Sequence, residues 1–145
     1  MKQAEHPMTL SEIRPSGPMA QGAPVALVVA GPTCSGKSAL ALSVARALAE
    51  HGRAGKGWAG ATIINADSMQ VYKDLRVLTA RPSMAEEQAV PHRLYGVLPA
   101  SSTGSVAWWR THALEAMQEA WGEGRLPVLC GWTGMYFRAL TLGLA

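Results

Sequence analysis

The sequence predicts an α/β fold in three layers, helices on both faces of a mostly parallel sheet, and three observations carry that expectation. A G-x-x-x-x-G-K-S stretch, Gly31-Pro32-Thr33-Cys34-Ser35-Gly36-Lys37-Ser38, sits between an apolar run and a helical pattern. Two further apolar runs, residues 61–65 and 126–131, are each the length of one strand. Amphipathic segments of helix length separate the runs, as the crossovers of a parallel sheet require.

In chain order, residues 25–30 read as a short buried strand, and Ala39, Leu42, Ala45 and Ala49 recur at helical spacing behind the loop with no breaker. Gly31 and Gly36 let the loop curl so that successive N–H groups point inward, and the helix adds its positive N-terminal end. Such a cradle takes a phosphate compound, with Lys37 as a point charge on the terminal phosphates and Ser38 helping to hold Mg2+. Strand, loop, helix and second strand make a βαβ unit, so the core is P-loop NTPase-like.

Residues 51–60 form a glycine-rich connector, and the β-branched run 61–65 delivers Asp67-Ser68-Met69-Gln70-Val71-Tyr72 to a strand end, where ligands of open α/β sheets sit. Residues 73–104 are expected to be mostly loop, with room for a helix at 84–89. That loop brings Arg81, His92 and Arg93 toward the ligand side, or leaves them as solvated surface. Ser105 is placed to cap a helix over 106–121 whose Val106, Trp109, Ala113, Met117 and Ala120 share one stripe, so Trp108, Trp109 and Trp121 read as packing groups. The third strand ends in Trp132-Thr133-Gly134-Met135-Tyr136 before a last helical pattern, 136–142, and Thr133 also stands where that helix would be capped.

A length of 145 residues with 48% hydrophobic composition suits one domain, expected over 24–145 behind a disordered tail, 1–23, punctuated by Pro and Gly. The net charge of +3 comes from 13 basic and 10 acidic residues in no dense cluster, and does not by itself point to nucleic acid. Cys34 and Cys130 form no C-x-x-C pair, and the histidines have no metal-ligand spacing, so free thiols in a reducing cytoplasm are expected. No run approaches the roughly 20 apolar residues of a membrane span, and the first 22 residues hold no signal-peptide segment.

Read together, G-P-T-C-S-G-K-S, D-S-M-Q-V-Y and G-W-T-G-M-Y-F-R-A-L resemble the tRNA dimethylallyltransferases, or tRNA isopentenyltransferases. T-A-R-P at 79–82, P-H-R-L at 91–94 and G-R-L-P-V-L at 124–129 fit the same family, so the resemblance covers about residues 25–145. It implies transfer of a dimethylallyl group from dimethylallyl diphosphate to the exocyclic amine of the adenosine beside the anticodon of tRNA, by a cytoplasmic, monomeric, Mg2+-dependent enzyme. It further implies that Thr33 to Ser38 bind the diphosphate, that Asp67 is the general base, and that Ser68, Met69 and Gln70 contact the tRNA with it. Thr133 would meet the oxygen that bridges prenyl group and diphosphate.

Several positions depart from the family pattern. Cys34 stands where a small residue is usual, Arg81 for lysine, and Arg93 for histidine. Trp132 replaces a glycine, and a left-handed backbone there would distort the loop that holds Thr133. Family members also run on past residue 144 with an insertion that grips the anticodon stem and a part that completes the sheet. The chain is therefore expected to be a truncated N-terminal portion, and inactive alone. The residues themselves leave open an ATP-using P-loop kinase of small molecules or nucleotides, an adenylate isopentenyltransferase acting on free AMP, and a phosphate-binding remnant. A kinase would need an arginine-rich lid and an acceptor pocket, and neither is identifiable in the sequence.

Overall fold

A computed structural model describes residues 25–32, 35–53, 57–73 and 82–142. The expected tail 1–23, Thr33 and Cys34 of the loop, Arg81 with its neighbours 79–80, and 143–145 lie outside the described residues. The elements are β1 (Leu27–Ala30), α1 (Lys37–Arg53), β2 (Gly60–Asn65), α2 (Met84–Ala89), β3 (His92–Arg93), α3 (Val106–Gly122), β4 (Arg125–Gly131) and α4 (Gly134–Leu142). The four strands lie in the order β1-β4-β2-β3, and every pairing is parallel.

The late strand β4 is inserted between β1 and β2. Both faces of β4 and β2 are therefore covered, which is why their sequences read as unbroken apolar runs rather than alternating ones. Their side chains divide by parity. Ile63, Val128 and Cys130 pack with Ala41, Leu42 and Ala45 of α1, whereas Ile64 and Leu129 pack with Trp109, Ala113 and Met117 of α3 and with Tyr136 and Leu140 of α4. The result is the expected three layers.

β1 corrects the expectation of a buried strand. Among the described residues it is an edge strand paired with β4 alone, with Val29 its one buried residue and Val28 50% exposed. Residues 92–93 are not loop but the two-residue strand β3, in register with Ile63 and Ile64. Ahead of it, α2 is fixed by a capping box: the Ser83 hydroxyl accepts the Glu86 N–H while the Glu86 carboxylate accepts that of Ser83.

Ser105 caps α3 as expected, its hydroxyl accepting the Trp108 N–H at 3.0 Å. More than one stripe of α3 is buried, because the helix lies between the sheet and α4: Arg110 and Leu114 are covered along with Trp109 and Met117. Trp109 stacks on Tyr136 of α4 with ring centroids 4.4 Å apart and planes 8° from parallel, and its indole N–H donates to the Asn65 carbonyl at 2.6 Å. Trp109 and Trp121 are buried and Trp108 is half-buried, in keeping with packing roles. None of the described helices is long and apolar enough to cross a membrane.

The ends of β2 and β4 meet main chain to main chain. A Cβ on Gly131 would lie 2.3 Å from the Ala66 carbonyl carbon and 2.7 Å from the Asp67 nitrogen, so only glycine permits the contact. The Ala66 N–H donates to the Cys130 carbonyl at 2.9 Å, and the Thr133 N–H to the Ala66 carbonyl at 3.1 Å. Because backbone cannot move aside as a side chain can, Gly131→Ala is expected to destabilise the fold by about 3 kcal/mol or more. A urea midpoint unchanged by that substitution would show that the strand ends do not touch.

Candidate active site

β1 and β4 are neighbours, yet the loop after β1 leads to α1 on one face and the loop after β4 leads to α4 on the other. Where loops diverge in this way a crevice opens at the carboxyl ends of the strands, the place where open α/β sheets bind ligands. The Gly31 N–H reaches the Gly131 carbonyl at 3.4 Å and joins the two loops at the floor of the crevice.

On the β1 side lies the glycine loop in which the sequence leads one to expect a phosphate cradle. Gly36 takes φ +83°, which turns the chain into α1, and the Ser35 N–H closes onto the Pro32 carbonyl at 3.2 Å. Lys37 opens α1 with only 9% of its surface exposed, and its ammonium donates to the Pro32 carbonyl at 3.3 Å. No acidic residue lies in the first turn of α1, so nothing on the helix opposes an anion at its positive end. Ser38 follows, partly buried, in hydrogen-bonding reach of the Cys130 thiol beneath it. Burial pushes that thiol up from its ordinary value, against the opposing pull of the Lys37 charge and of hydrogen bonds with Tyr95 and Ser38. Cys130 is thus a neutral packing group under the cradle.

On the β2 side lies the Asp67 loop. Asp67 is half-buried and its Oδ1 accepts the Met69 N–H at 2.9 Å, the turn-forming contact typical of aspartate after a strand. Oδ2 takes no hydrogen bond from a described residue, so one oxygen holds the turn and the other is not committed to it. The Ser68 N–H donates to Thr133 Oγ1 at 2.9 Å, and the two hydroxyl oxygens lie 3.4 Å apart. Thr133 begins α4 through its carbonyl, which accepts the Tyr136 and Phe137 N–H groups at 3.0 and 3.4 Å, while its hydroxyl is committed to Ser68. Met69 is 52% exposed, whereas Gln70 is buried beneath the loop, its carbonyl accepting the Gly96 N–H at 2.9 Å.

The structure therefore places Gly31, Pro32, Ser35, Gly36, Lys37 and Ser38 after β1 and joins Asp67, Ser68 and Thr133 at the ends of β2 and β4, with Gly131 touching both groups. His92 and Arg93 do not join them. The His92 Nδ1–H donates to the Val90 carbonyl at 2.7 Å and its ring packs edge-on against Tyr95, while Arg93 pairs with Glu119 of α3. Both are held by the outer edge strand. Trp132 does not strain its loop, because the only described non-glycine residue with positive φ is Leu94, and the indole stands 59% exposed.

Asn65 is the residue that the reading of the sequence passed over. Fully buried at the end of β2, it accepts the Asp67 N–H on Oδ1 at 2.8 Å and donates from Nδ2 to the Asp67 carbonyl at 2.8 Å and the Leu94 carbonyl at 3.0 Å. An asparagine two residues ahead of an aspartate is a recognisable turn signal, and it was the available clue.

Residues 24–104 match the family model described as isopentenyl transferase, and residues 70–145 the one described as IPP transferase. A tRNA dimethylallyltransferase of Granulibacter bethesdensis is 63% identical over 120 residues, which is 83% of this chain and 34% of the relative. One from Gluconacetobacter diazotrophicus is 64% identical over 118 residues, 81% of this chain and 32% of the relative. Among solved structures, the tRNA delta(2)-isopentenylpyrophosphate transferase of Staphylococcus epidermidis superposes with a TM-score of 0.70 at 30% identity, covering 81% of this chain and 35% of that one. The full-length tRNA isopentenylpyrophosphate transferase of Bacillus halodurans gives 0.70 at 32% identity, with the same coverage. The chain spans about a third of the length of the curated relatives it matches.

Two phenols near the site set the alkaline limit of the fold. Burial raises Tyr136 from 10.0 to about 12, and burial together with the neighbouring Cys130 raises Tyr95 well above 10.0. Folded values above unfolded ones mean stability that is complete below pH 10 and lost as pH climbs through the folded values. The melting temperature is therefore expected to fall across that window, and less steeply in Tyr95→Phe. A wild-type melting temperature independent of pH between 10 and 12 would contradict the burial of both hydroxyls.

Proposed function

Because the chain belongs to the isopentenyl transferase (IPP transferase) family, we propose that it carries the donor cradle and catalytic base of a tRNA dimethylallyltransferase. In this reading the dimethylallyl group of dimethylallyl diphosphate passes to the exocyclic amine of the adenosine beside the anticodon. The observation that supports it most is the joining of Asp67, Ser68 and Thr133 beside Gly131, on whose carbonyl the loop after β1 also rests. The Asp that phosphate-loop NTPases add to the loop serine as a metal ligand has no counterpart where β4 ends, at Cys130-Gly131-Trp132-Thr133. The carboxylate at the rim is instead Asp67, on the acceptor side, which disfavours ATP-driven phosphoryl transfer.

The chemistry follows from these groups. An adenine amine is a poor nucleophile, its lone pair delocalised into the ring, so Asp67 accepts the amine proton on Oδ2 while Met69 holds Oδ1 in place. The amine nitrogen bonds to the prenyl carbon as the carbon–oxygen bond breaks, and the electron pair of that bond leaves with the diphosphate. Lys37, the loop N–H groups and the α1 N-terminus neutralise charge where it accumulates. Thr133 accepts from the Ser68 N–H at 2.9 Å and gives its own proton to Ser68 Oγ only at 3.4 Å, so that proton can turn to the departing bridging oxygen. Ser68 and Met69 border the base, with Gln70 supporting them from below.

The Ser38 hydroxyl and the diphosphate are hard oxygen donors, the type that Mg2+ selects while keeping several waters, so the cradle fits that ion with Ser38 as its protein ligand. Bound there, Mg2+ would neutralise the leaving group. One chain supplies both walls of the crevice, so a monomer suffices, and the cytoplasm is where tRNA and free thiols meet. Thr33 and Cys34 complete the loop in this reading, and residues 24–145 are its core.

Two experiments test the proposal. Dimethylallyl diphosphate with Mg2+ is expected to raise the melting temperature of the chain, ATP is not, and Lys37→Ala should abolish the shift. Replacing the matched third of the Granulibacter bethesdensis relative by this chain gives an enzyme in which turnover can be read. There, Asp67→Asn is expected to lower kcat by about 10²- to 10⁴-fold with the donor KM little changed. A folded graft that transfers no prenyl group, or an Asp67→Asn variant as fast as its parent, would overturn the assignment.

A further inference from the structure

We infer that Asn65 is a positioning residue for the transfer: its buried amide clamps both peptide groups of Asp67 and thereby fixes the carboxylate that takes the proton. The inference rests on the reading of Asp67 as the base.

The clamp uses the side chain close to its limit. Oδ1 accepts the Asp67 N–H, and the two Nδ2 hydrogens go to the Asp67 and Leu94 carbonyls at 2.8 and 3.0 Å. Asparagine alone among residues of its size offers one acceptor and two donors in a plane, so neither aspartate nor leucine reproduces the set. The side chain is 0% exposed, so water does not replace a lost partner.

What the clamp holds is set against strain. Leu94 has φ +66°, a conformation that costs a leucine energy, and its carbonyl is the one Asn65 reaches across from β2. A strained residue keeps its conformation only where its surroundings over-determine it, and the amide is one such determinant. On the other side the Asn65 carbonyl receives the Trp109 indole N–H at 2.6 Å, and Trp109 stacks on Tyr136, three residues past Thr133. Asn65 therefore ties together the Asp67 loop, the end of β3 and the helix pair behind Thr133. A free rotation about the 65–67 turn would swing Oδ2 away from the amine, and misplacement of a base by about 1 Å costs on the order of 10²-fold in rate.

The test uses the graft described above, with three variants. Asn65→Ser keeps a hydroxyl that accepts the Asp67 N–H more weakly, Asn65→Ala keeps nothing, and Asn65→Asp sets carboxylate oxygen against two carbonyls. The expected order of kcat is Asn, then Ser, then Ala, with Ala down on the order of 10²-fold and Asp no better than Ala. The donor KM, and the thermal shift given by dimethylallyl diphosphate, should stay within about twofold of the parent, because the cradle is built by β1 and α1. A purely structural asparagine would lower the melting temperature while leaving kcat of the folded fraction unchanged, and that result overturns the inference. Should Asn65→Ala fail to fold, the Ser variant decides: a melting temperature close to the parent with parental kcat counts against the clamp, and a tenfold or greater loss of kcat supports it. Failure of the two readings is distinguishable, since an active Asp67→Asn removes the base itself, whereas an inactive Asp67→Asn beside a fully active Asn65→Ala removes only the clamp.

Discussion

The close approach of Gly131 to Ala66 and Asp67 is the constraint on which the rest of the molecule depends. With no side chain between them, the ends of β4 and β2 stand near enough for the Thr133 N–H to reach the Ala66 carbonyl and for the Ser68 N–H to reach the Thr133 hydroxyl. Two segments 65 residues apart in sequence thus become one polar rim. The same β4 carries Gly131 against Gly31, so the phosphate loop is hung from the strand that also positions the acceptor loop. The glycine loop and the Asp67 turn are held in register by main chain, and their spacing does not depend on long, mobile side chains.

Packing supports that geometry from both faces. On one side α1 covers Ile63, Val128 and Cys130, and on the other α3 and α4 cover Ile64 and Leu129. Polar groups that enter these layers find partners: Trp109 donates to Asn65, Arg110 to the Ala139 carbonyl at 3.0 Å, and Trp121 to the Val25 carbonyl at 2.9 Å. Each of these contacts joins α3 to a different neighbour, so the helix locks the strand ends to α4. The Lys37 ammonium, 9% exposed, rests on a carbonyl of its own loop at 3.3 Å.

What was legible in the sequence was what local pattern encodes. The phosphate loop, β2, β4, α1 and α3 announce themselves through glycine spacing, β-branched runs and helical periodicity, and Asp67 and Thr133 stand at their ends. The rest depends on contacts between distant residues. The exposure of β1 follows from the order of strands, which no window around Val28 contains. The two residues of β3 are polar and carry no strand pattern, and they are extended because β2 pairs with them. Arg93 looked available to a ligand until Glu119, 26 residues away, claimed it. In the sequence Asn65 is no more than the last residue of a strand, because its reach to Leu94 spans 29 residues. At Trp132 a family habit of glycine suggested a backbone requirement that this chain does not have, since its φ is ordinary and its ring points to solvent.

In the proposed transfer the second oxygen of Asp67 faces the acceptor amine while the phosphate loop holds the leaving group. A crystal structure of the grafted enzyme with an unreactive thio analogue of dimethylallyl diphosphate and an anticodon stem-loop tests it directly. The account requires the adenine exocyclic nitrogen within hydrogen-bonding distance of Asp67 Oδ2 and about 3–3.5 Å from the prenyl carbon, in line with the bridging atom. An adenine amine turned away from Asp67, with the diphosphate bound elsewhere than at Lys37 and Ser38, would contradict it.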